Sequence, residues 1–475
     1  MQRTRLTRSY NLRPATGIVH LGLGAFYRAF GAVFIADAME KSGGDWGIVG
    51  VSLKSPGTRD ALAPQSWAYN SVTLIAGEER VKPIEILNDV LVAPENPAKV
   101  LAAMADPNVK IVTLTVTEKG YCHKPATGEL NMKHPDIVHD LKHPLPSSAI
   151  GFLVRALQIR RDAGDRPFTI LTCDNLPENG KLVRGVVLEL ARHIDKGLAD
   201  WIATKARFPG TMVDRITPAT TDGDVERVSN LTGFHDAAPV MHESFAQWAI
   251  EDDFVDELRP ALETVGVEMV SDVTPHEHMK LRMLNGTHSS LAYLGYLSGY
   301  ETISDAMSDP VLAAYVRKLW SEIIPTVNAP SGVKLTDYAE QLFERYANPC
   351  VQHQNWQIAM DGSQKLPQRI LGTLRDKIDA GQASPGLCLA VAAWMRYVSG
   401  TDEKGQSIDV QDPQSARLLE LAKACENTTE LVAALLSVRE IFSADIAEDL
   451  QQPLALAAER LWAVGARAAA KELVA

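Results

Sequence analysis

The chain has 475 residues, of which 46% are hydrophobic and 22% are charged. This composition is that of an ordinary globular protein and excludes disordered, collagen-like and coiled-coil classes for most of the length. The 47 basic and 59 acidic residues give a net charge of −12. A surface this acidic argues against nucleic acid as a partner, although it leaves room for a small anionic substrate in a locally basic pocket.

The five cysteines include no C-x-x-C pair. This pattern argues against a disulfide framework or a structural zinc site and fits a reducing compartment. The N-terminus lacks the apolar core of a signal peptide, and no apolar run reaches the ~18 residues of a membrane span. The sequence therefore predicts a soluble cytoplasmic protein, a monomer or small homo-oligomer that contacts neither nucleic acid nor membrane.

The first half of the chain alternates β-rich runs with helical stretches. An apolar run at residues 18–21 precedes a glycine-rich turn and a helix-like stretch to about Lys41. Strands separated by helical spacers indicate βαβ units around a mainly parallel sheet. Further β-rich runs occupy residues 47–53, 110–117, 167–173, 211–216 and 266–270.

The character of the chain changes near residues 272–275, and from about His276 helical periodicity dominates to the end. Residues 311–324 and the Ala-rich stretch 454–475 are good helix formers, and the polar stretch 399–412 predicts a surface loop. The sequence thus predicts an α/β domain over residues 1–271 and a mainly α-helical domain over residues 272–475.

Gly22 and Gly24 directly follow the first apolar run, in the strand–turn–helix order of a dinucleotide-binding fingerprint. The first glycine permits the tight turn, and the second lets a pyrophosphate approach the backbone at the helix N-terminus. Tyr27 occupies the place of the third glycine, and Arg28 adds a cation that can pair with phosphate. A tight turn without a ligand is the alternative interpretation.

The second strand is not followed by the acidic residue that usually binds the ribose. Lys54 and Arg59 lie there instead. They either bind a 2′-phosphate or form a solvated basic loop. These residues leave the choice between NAD and NADP open.

Residues 276–299 carry three polar side chains within an otherwise apolar helical pattern. Lys280, Asn285 and His288 fall within about 140° of one another on an α-helix. A buried lysine can act as general base, an amide can donate to a developing alkoxide, and an imidazole can orient a hydroxyl. Each residue alone is equally compatible with a surface lysine, a polar residue inside a helix or a core histidine.

Three further polar residues lie at or near the ends of predicted strands. Thr117 ends one β-rich run and Asn175 follows another, at the edge where doubly wound sheets bind ligands. Asp214 lies inside an apolar run, either paired with Arg215 or directed at a site. Loop and turn roles are the alternatives for Thr117 and Asn175.

Seven blocks of sequence resemble the polyol-specific long-chain dehydrogenase/reductase family, also called the mannitol dehydrogenase family, which includes mannitol 2-dehydrogenase and fructuronate reductase (D-mannonate oxidoreductase). The most specific is the K-x4-N-x2-H pattern formed by Lys280, Asn285 and His288. The blocks, which span residues 17 to 371, are GIVHLGLGAFYRA, TLTVTEKGYC, CDNLPENG, FPGTMVDRITPAT, QWAIEDDF, KLRMLNGTHSSLAYLGYLSGY and MDGSQKLPQRIL.

The resemblance implies a Rossmann-type N-terminal domain, a mainly helical C-terminal domain and an active site in the cleft between them. It implies metal-independent hydride transfer with NAD and no metal site. Lys280 then matches the general base, Asn175 and Asn285 the pair that stabilises the oxyanion, His288 the substrate-orienting residue, and Asp214 a polar residue near the substrate. The implied cofactor-binding residues are Gly22, Gly24, Ala25, Phe26, Arg28, Thr117 and Asn175.

One departure from the family pattern concerns the glycine motif, where Tyr27 and Phe30 replace the usual histidine pair. A second question is the substrate, since sugar acids carry a carboxylate and polyols do not. Arg282, Lys365 and Arg369 are candidate partners for a carboxylate. Surface salt bridges are the alternative role for these three cations.

The sequence therefore favours a sugar acid of the mannonate/fructuronate type over a polyol such as mannitol. Two other classes remain as alternatives: a nucleotide-binding regulator without catalysis, and a metal-dependent dehydrogenase suggested by His276 and His278. Two imidazoles separated by one residue point about 200° apart on a helix, which disfavours a shared metal.

Overall fold

The computed structural model describes residues 3–9, 13–75, 78–125 and 127–475. The chain divides into two compact units, Met1–Thr274 and Pro275–Ala475, and the sequence placed the change of character at residue 272. No helix among the described residues is both long and apolar enough to cross a bilayer.

The described part of the first unit contains eleven strands in three sheets. The strands are β1 (Thr16–Leu21), β2 (Gly47–Ser52), β3 (Tyr69–Ile75), β4 (Glu78–Ile84), β5 (Leu87–Val92), β6 (Ile111–Leu114), β7 (Thr169–Thr172), β8 (Thr211–Asp214), β9 (Val240–Glu243), β10 (Gln247–Glu251) and β11 (Glu268–Val270).

The main sheet has the order β5-β2-β1-β6-β7, with every neighbouring pair parallel. Because the chain moves outward from β1 first to one side and later to the other, the strand order reverses at β1. In doubly wound sheets this reversal is where ligands bind, at the carboxyl ends of the strands. The prediction of a Rossmann-type parallel sheet is confirmed.

The two smaller sheets differ from the sequence prediction. The runs at 211–216 and 266–270 form β8 and β11, but they pair with β10 in a separate sheet in which β8 is antiparallel. A β3–β4 hairpin, extended by β9, forms the third sheet, and its strands were not predicted. Edge hairpins of mixed polarity lack the continuous apolar run that reveals a central parallel strand.

Alternation along the central strands explains why both faces of the main sheet are covered. Val19 and Leu21 belong to one hydrophobic cluster and Ile18 to another, as the twofold side-chain period of a strand requires. The helices of this unit are Ala25–Ala29, Gly31–Ser42, Gly57–Leu62, Pro97–Ala105, Thr117–Gly120, Pro135–Asp140, Ala149–Ala163, Asn179–Ile194, Lys196–Lys205 and Asp222–Thr232, with short 3₁₀ turns at Ala63–Gln65, Val255–Glu257 and Leu262–Val265.

The second unit is built from helices in its described residues, as the sequence predicted. Its core is helix Thr287–Leu297, almost all of which is buried, packed against Pro385–Val398 and Asn355–Ala359. The other helices are Thr274–Met279, Ile303–Ser308, Pro310–Ile323, Leu335–Tyr346, Gly362–Leu366, Gly372–Asp379, Ser415–Lys423, Thr428–Leu436, Ala444–Val464 and Ala466–Val474, with a 3₁₀ turn at Ile324–Thr326 and π-helical segments at Lys280–Gly286 and Pro367–Leu371.

Two predicted helices are interrupted. The helix after β1 breaks at Phe30, whose φ of −124° and ψ of −88° are not helical. The C-terminal helix breaks at Gly465, which has a φ of +84° and lies against the carboxylate of Glu403. Helix propensity does not mark the break at Phe30, whereas Gly465 is itself a poor helix former.

Candidate active site

The turn after β1 is held in place by the ends of both neighbouring strands. Gly22 has a φ of +91°, and a Cβ there would lie 2.1 Å from the carbonyl oxygen of Thr115. Its N–H donates to Val51 at 2.9 Å, and the Thr115 hydroxyl donates to the Gly22 carbonyl at 2.8 Å. Only glycine satisfies both the left-handed conformation and the close approach.

The residues after this turn leave space for a phosphate group. Gly24 is exposed, and a Cβ there would meet nothing closer than 3.8 Å. It precedes helix Ala25–Ala29 without a side-chain cap, and Ala25 and Phe26 are partly exposed. Uncapped N–H groups beside an open glycine fit the pyrophosphate of a dinucleotide.

Tyr27 fills the place of the third glycine by packing onto β1. Its ring stacks on His20 with centroids 3.4 Å apart, and a Cβ at Gly31 would lie 2.5 Å from the Tyr27 ring. Burial lowers the pKa of His20 to about 3, and its ring nitrogens lie within 2.9 Å of the hydroxyls of Thr113 and Thr115. In the usual motif the third glycine allows the helix to pack closely on the strand. In this chain Gly31 instead leaves room for the ring of Tyr27.

Phe30, which with Tyr27 replaces the usual histidine pair of the family, belongs to an aromatic cluster. Its ring contacts Phe26, Phe34 and Trp248 at centroid distances of 5.2 Å. Both replacements therefore build the core beside the glycine turn.

Arg28 does not have the geometry expected of a phosphate ligand. Its guanidinium is buried over the ring of Tyr69 and donates to the carbonyl of Ala238 at 2.6 Å. Burial lowers its pKa. The sequence assigned this cation to the cofactor, but in the fold it joins the short helix to the segment before β9.

The basic residues after β2 also differ in availability. Arg59 forms ion pairs with Asp60 and Glu95, whereas Lys54 is exposed. Of the two cations considered for a 2′-phosphate, Arg59 is already neutralised by two carboxylates.

Asp174 connects the loops that follow β6 and β7. Its carboxylate accepts hydrogen bonds from the N–H groups of Val116 (2.8 Å) and Thr117 (3.2 Å) and from the Tyr121 hydroxyl (2.8 Å). Burial raises its pKa. Thr117 is exposed with a φ of +65°, and Asn175 is exposed beside Asp174. The bridge therefore places both predicted residues at neighbouring strand ends.

Sequence reasoning did not identify Asp174, although its position next to Asn175 at a strand end was an available signal. Asp214 is the last residue of β8 and is buried. Arg215, considered as its partner, donates to the carbonyl oxygens of Ala29 (2.6 Å) and Phe245 (3.2 Å).

In the second unit, Lys280 and Asn285 lie at opposite ends of the π-helical segment Lys280–Gly286 rather than in an α-helix. In α-helical geometry they would be about 140° apart. In a π-helix, hydrogen bonds join residue i to residue i+5, so that residue i+5 lies nearly above residue i. The side chains of Lys280 and Asn285 are therefore expected on one face. Lys280 is 5% exposed.

Three carbonyl groups of the π segment accept hydrogen bonds from side chains. Trp320 Nε1 donates to the Met283 carbonyl at 3.1 Å, and the Tyr346 hydroxyl donates to the Leu284 carbonyl at 2.7 Å. Ser290 Oγ donates to the Gly286 carbonyl at 2.8 Å. The Leu284 carbonyl also accepts from the Thr287 N–H, so side chains and backbone together hold the π segment.

The two π segments of this unit pack directly on one another. A Cβ at Gly286 would lie 2.5 Å from the carbonyl oxygen of Arg369. This close approach lets Arg369 reach the Ser289 hydroxyl at 3.0 Å. Burial lowers the pKa of Arg369.

His288 is buried in a cationic environment. Its ring stacks on Tyr346 at 5.2 Å and meets His353 edge-on at 4.8 Å. Burial, reinforced by His353, Arg345, Arg369 and Lys365, holds its pKa well below the usual value. The imidazole is therefore neutral at physiological pH, and the positive charges of Arg345, Arg369 and Lys365 act on it.

Lys365 and Arg369 thus lie near His288, whereas Arg282 does not join them. Lys365 donates to the carbonyls of Ile358 and Met360. Burial, together with the positive charge of Arg369, lowers the pKa of Lys365 to about 8. Arg282 donates to the Thr326 carbonyl at 2.8 Å and forms an ion pair with Asp376.

Arg345 and His353 belong to this basic cluster, and sequence reasoning did not single them out. They lie outside the blocks that carry the family resemblance, and no local pattern marks them.

Two family models together match most of the chain. The Mannitol dehydrogenase Rossmann domain matches residues 16–264, and the Mannitol dehydrogenase C-terminal domain matches residues 272–462.

Among curated proteins, the chain is 47% identical to uncharacterized oxidoreductase YeiQ of Escherichia coli (strain K12), covering 91% of this chain and 89% of that protein. It is 44% identical to D-mannonate oxidoreductase of the same strain, covering 92% and 91%. A solved structure of Pseudomonas fluorescens mannitol 2-dehydrogenase, a ternary complex with NAD and D-mannitol, superposes with a TM-score of 0.86 at 36% identity, covering 99% of this chain and 96% of that one.

Proposed function

Since the chain belongs to the mannitol dehydrogenase family of oxidoreductases, we propose that it interconverts D-mannonate and D-fructuronate in an NAD-dependent, metal-independent reaction. The observation that carries the substrate choice is that Arg369 donates to Ser289, next to His288, at 3.0 Å, and that the charges of Arg369 and Lys365 both act on His288. Identity to D-mannonate oxidoreductase exceeds that to mannitol 2-dehydrogenase, which points the same way.

The residues of the first unit fit a dinucleotide. Gly22 and Gly24 form an open turn that would hold the pyrophosphate, with Ala25 and Phe26 in the following helical turn. Thr117 and Asn175 would lie beside the nicotinamide, held by the Asp174 bridge. When bound, NAD supplies the acceptor and donor of hydride.

The chemistry of this chain's own residues is proton transfer and stabilisation of charge. Lys280 removes the proton of the substrate hydroxyl during oxidation and returns it during reduction. Asn285 donates to the oxygen while it carries negative charge, and the family resemblance assigns Asn175 the same role. Neutral His288 orients a hydroxyl, and Asp214 contributes a polar contact to the substrate.

The carboxylate of a sugar acid requires a compensating cation when it leaves water. Lys365 and Arg369 supply that charge beside His288. Arg282, an early candidate for the same role, is engaged by Asp376 and is left out of the proposal.

A substrate panel tests the proposal: fructuronate, tagaturonate, fructose, mannitol and arabinitol, each with NAD(H) and NADP(H). We expect the highest kcat/KM for fructuronate with NADH. Faster reduction of fructose than of fructuronate would make the protein a mannitol 2-dehydrogenase. A preference for NADP that disappears in Lys54→Ala would show that the exposed lysine selects the cofactor.

The alternative functions are a mannitol 2-dehydrogenase, an enzyme for another polyol or hexonate of the family, and a nucleotide-binding regulator without catalysis. The regulator is disfavoured because Lys280, Asn285 and His288 are all present. Tight NADH binding without turnover of any panel member would favour it.

A further inference from the structure

Three potential metal ligands converge in the first unit, outside the residues assigned to catalysis. One ligand atom from each of Cys122, His134 and Asp136 lies within 4.8 Å of the other two. Among the described residues this is the one such group of histidine, cysteine and acidic side chains. Cys122 is buried, His134 is partly exposed and Asp136 is exposed, so the group is reachable from solvent.

The chain path explains how residues twelve and fourteen positions apart come together. After the short helix Thr117–Gly120, Cys122 adopts a φ of +53° and turns the chain. An antiparallel bridge joins His123 to Leu130, and the Asn131 N–H donates to the Cys122 carbonyl at 2.7 Å. The chain thus returns beside Cys122 immediately before His134.

Backbone contacts then fix His134. Its N–H donates to the Asn131 carbonyl at 2.9 Å, and it is the N-cap residue of helix Pro135–Asp140. The His134 Nδ1 atom lies 3.8 Å from Asp136 Oδ2. A cation between these two atoms needs only a small closure to reach Zn–N and Zn–O distances of about 2.0–2.2 Å.

The donor types specify the class of ion. Thiolate and imidazole favour a borderline-soft cation such as Zn²⁺, and one carboxylate is compatible with the same ion. We propose that Cys122, His134 and Asp136 bind a zinc-class divalent cation at a non-catalytic site, with water in the remaining position. Binding releases the thiol proton to solvent, since the thiolate is the ligand.

The neighbouring charges agree with a cation at this point. The negative charges of Asp136 and Asp140 both act on the Cys122 thiol. Asp140 is not a further ligand, because it accepts four hydrogen bonds from the N–H and hydroxyl groups of Ser147 and Ser148. The Asp136 N–H contact to His134 Nδ1 is long, at 3.3 Å, and is replaced by the metal bond.

Cobalt(II) titration of the full-length chain tests the site, because a thiolate ligand gives an intense near-ultraviolet charge-transfer absorption. We expect one equivalent of Co²⁺ to bind with this absorption and to be displaced by Zn²⁺. Cys122→Ser should abolish the absorption, whereas Cys425→Ser, a change at a thiol in the other unit, should leave it intact.

Asp136→Asn provides a second variant that does not disturb the core, because Asp136 is exposed. Losing a residue that only supports a metal ligand typically weakens metal binding by at least about tenfold. Loss of Asp136, a direct ligand, should therefore weaken Co²⁺ binding by more than that. Absence of stoichiometric binding, or an unchanged spectrum in Cys122→Ser, would overturn the proposal. Neither result depends on which sugar the protein oxidises.

Discussion

At the scale of single residues, the proposed chemistry rests on two buried polar side chains. Lys280 is 5% exposed, and His288 is kept neutral by burial and by surrounding positive charges. Groups with such environments are the ones that carry proton transfer in active sites. Residue identity suggested these roles, and the local environment makes them chemically reasonable.

Replacing Lys280 by Ala removes the proposed general base. We expect the hydride-transfer step to slow by about 10²–10⁴-fold, the usual contribution of a positioned acid–base group. Single-turnover absorbance of NADH measures this step directly. NADH affinity should stay nearly unchanged, because the glycine turn belongs to the other unit. Lys334→Ala, at an exposed lysine of the same unit, serves as the control, and near-normal turnover in Lys280→Ala would remove this residue from the mechanism.

Arg369→Met tests recognition of the carboxylate. The substitution keeps much of the stem but removes the charge beside His288. The value of kcat/KM for fructuronate should fall by the factor that corresponds to a loss of about 2–5 kcal/mol, the range for breaking a buried charge pair. Fructose should be affected far less. Arg282→Met is the matched control, since its partner is Asp376. Arg282→Met should change kcat/KM for both substrates by the same factor. A selective loss for fructuronate in Arg282→Met, but not in Arg369→Met, would make Arg282 the partner of the carboxylate.

The lowered pKa of Lys365 predicts a pH dependence specific to acidic substrates. With a pKa of about 8, the ammonium group is charged below pH 8 and loses its proton as the pH rises. The ratio of kcat/KM for fructuronate to that for fructose should therefore fall above pH 8, by about tenfold per pH unit where deprotonation is complete. Taking the ratio cancels the effects of pH that are common to both substrates. A ratio that is flat from pH 6 to 10 would contradict the role of Lys365.

At the scale of elements, the two π-helical segments organise the second unit's site. Lys280–Gly286 and Pro367–Leu371 pack through Gly286, which brings the backbone of Arg369 against the helix that carries His288. π-Helical turns are rare and are concentrated at functional sites. Here the wider turn brings Lys280 and Asn285 onto one face.

Gly286→Ala should disturb this packing. Its Cβ would lie 2.5 Å from the Arg369 carbonyl, so the segments must separate, at a cost of about 1–3 kcal/mol in the free energy of unfolding. Urea unfolding measures the loss, and kcat/KM should fall with it. Gly185→Ala, in a helix where a Cβ meets nothing within 4 Å, should be neutral or stabilising. Equal stability of both variants would show that the segments can move apart freely.

At the scale of the whole molecule, the reaction and the proposed cation site should be separable. Because the proposed mechanism assigns the proton transfer to Lys280, dialysis against a strong chelator should leave kcat unchanged. The same treatment should lower the Tm of a protein that had been loaded with zinc, since a ligand that binds only the folded state stabilises it. Activity that is lost on dialysis and restored only by zinc would contradict the metal-independent mechanism.

Much of the fold could be predicted because the central strands are buried on both faces. β1, β2, β6 and β7 are entirely or almost entirely buried and therefore consist of continuous β-branched and apolar runs. The hairpin strand β4 is largely exposed and contains Glu78, Arg80 and Lys82. Its pairing depends on β3, and no local pattern announces it.

The sequence by itself determined the glycine turn, the succession of β and helical regions and the K-x4-N-x2-H pattern, because each depends on neighbours along the chain. Only the tertiary structure decided the partners of the cations and thiols. Arg28 and Arg282 are directed to Ala238 and Asp376, while Cys122 meets His134. Long side chains reach several groups, and burial selects among them because an unpaired buried charge is costly. That selection depends on contacts between distant parts of the chain, which sequence spacing does not encode.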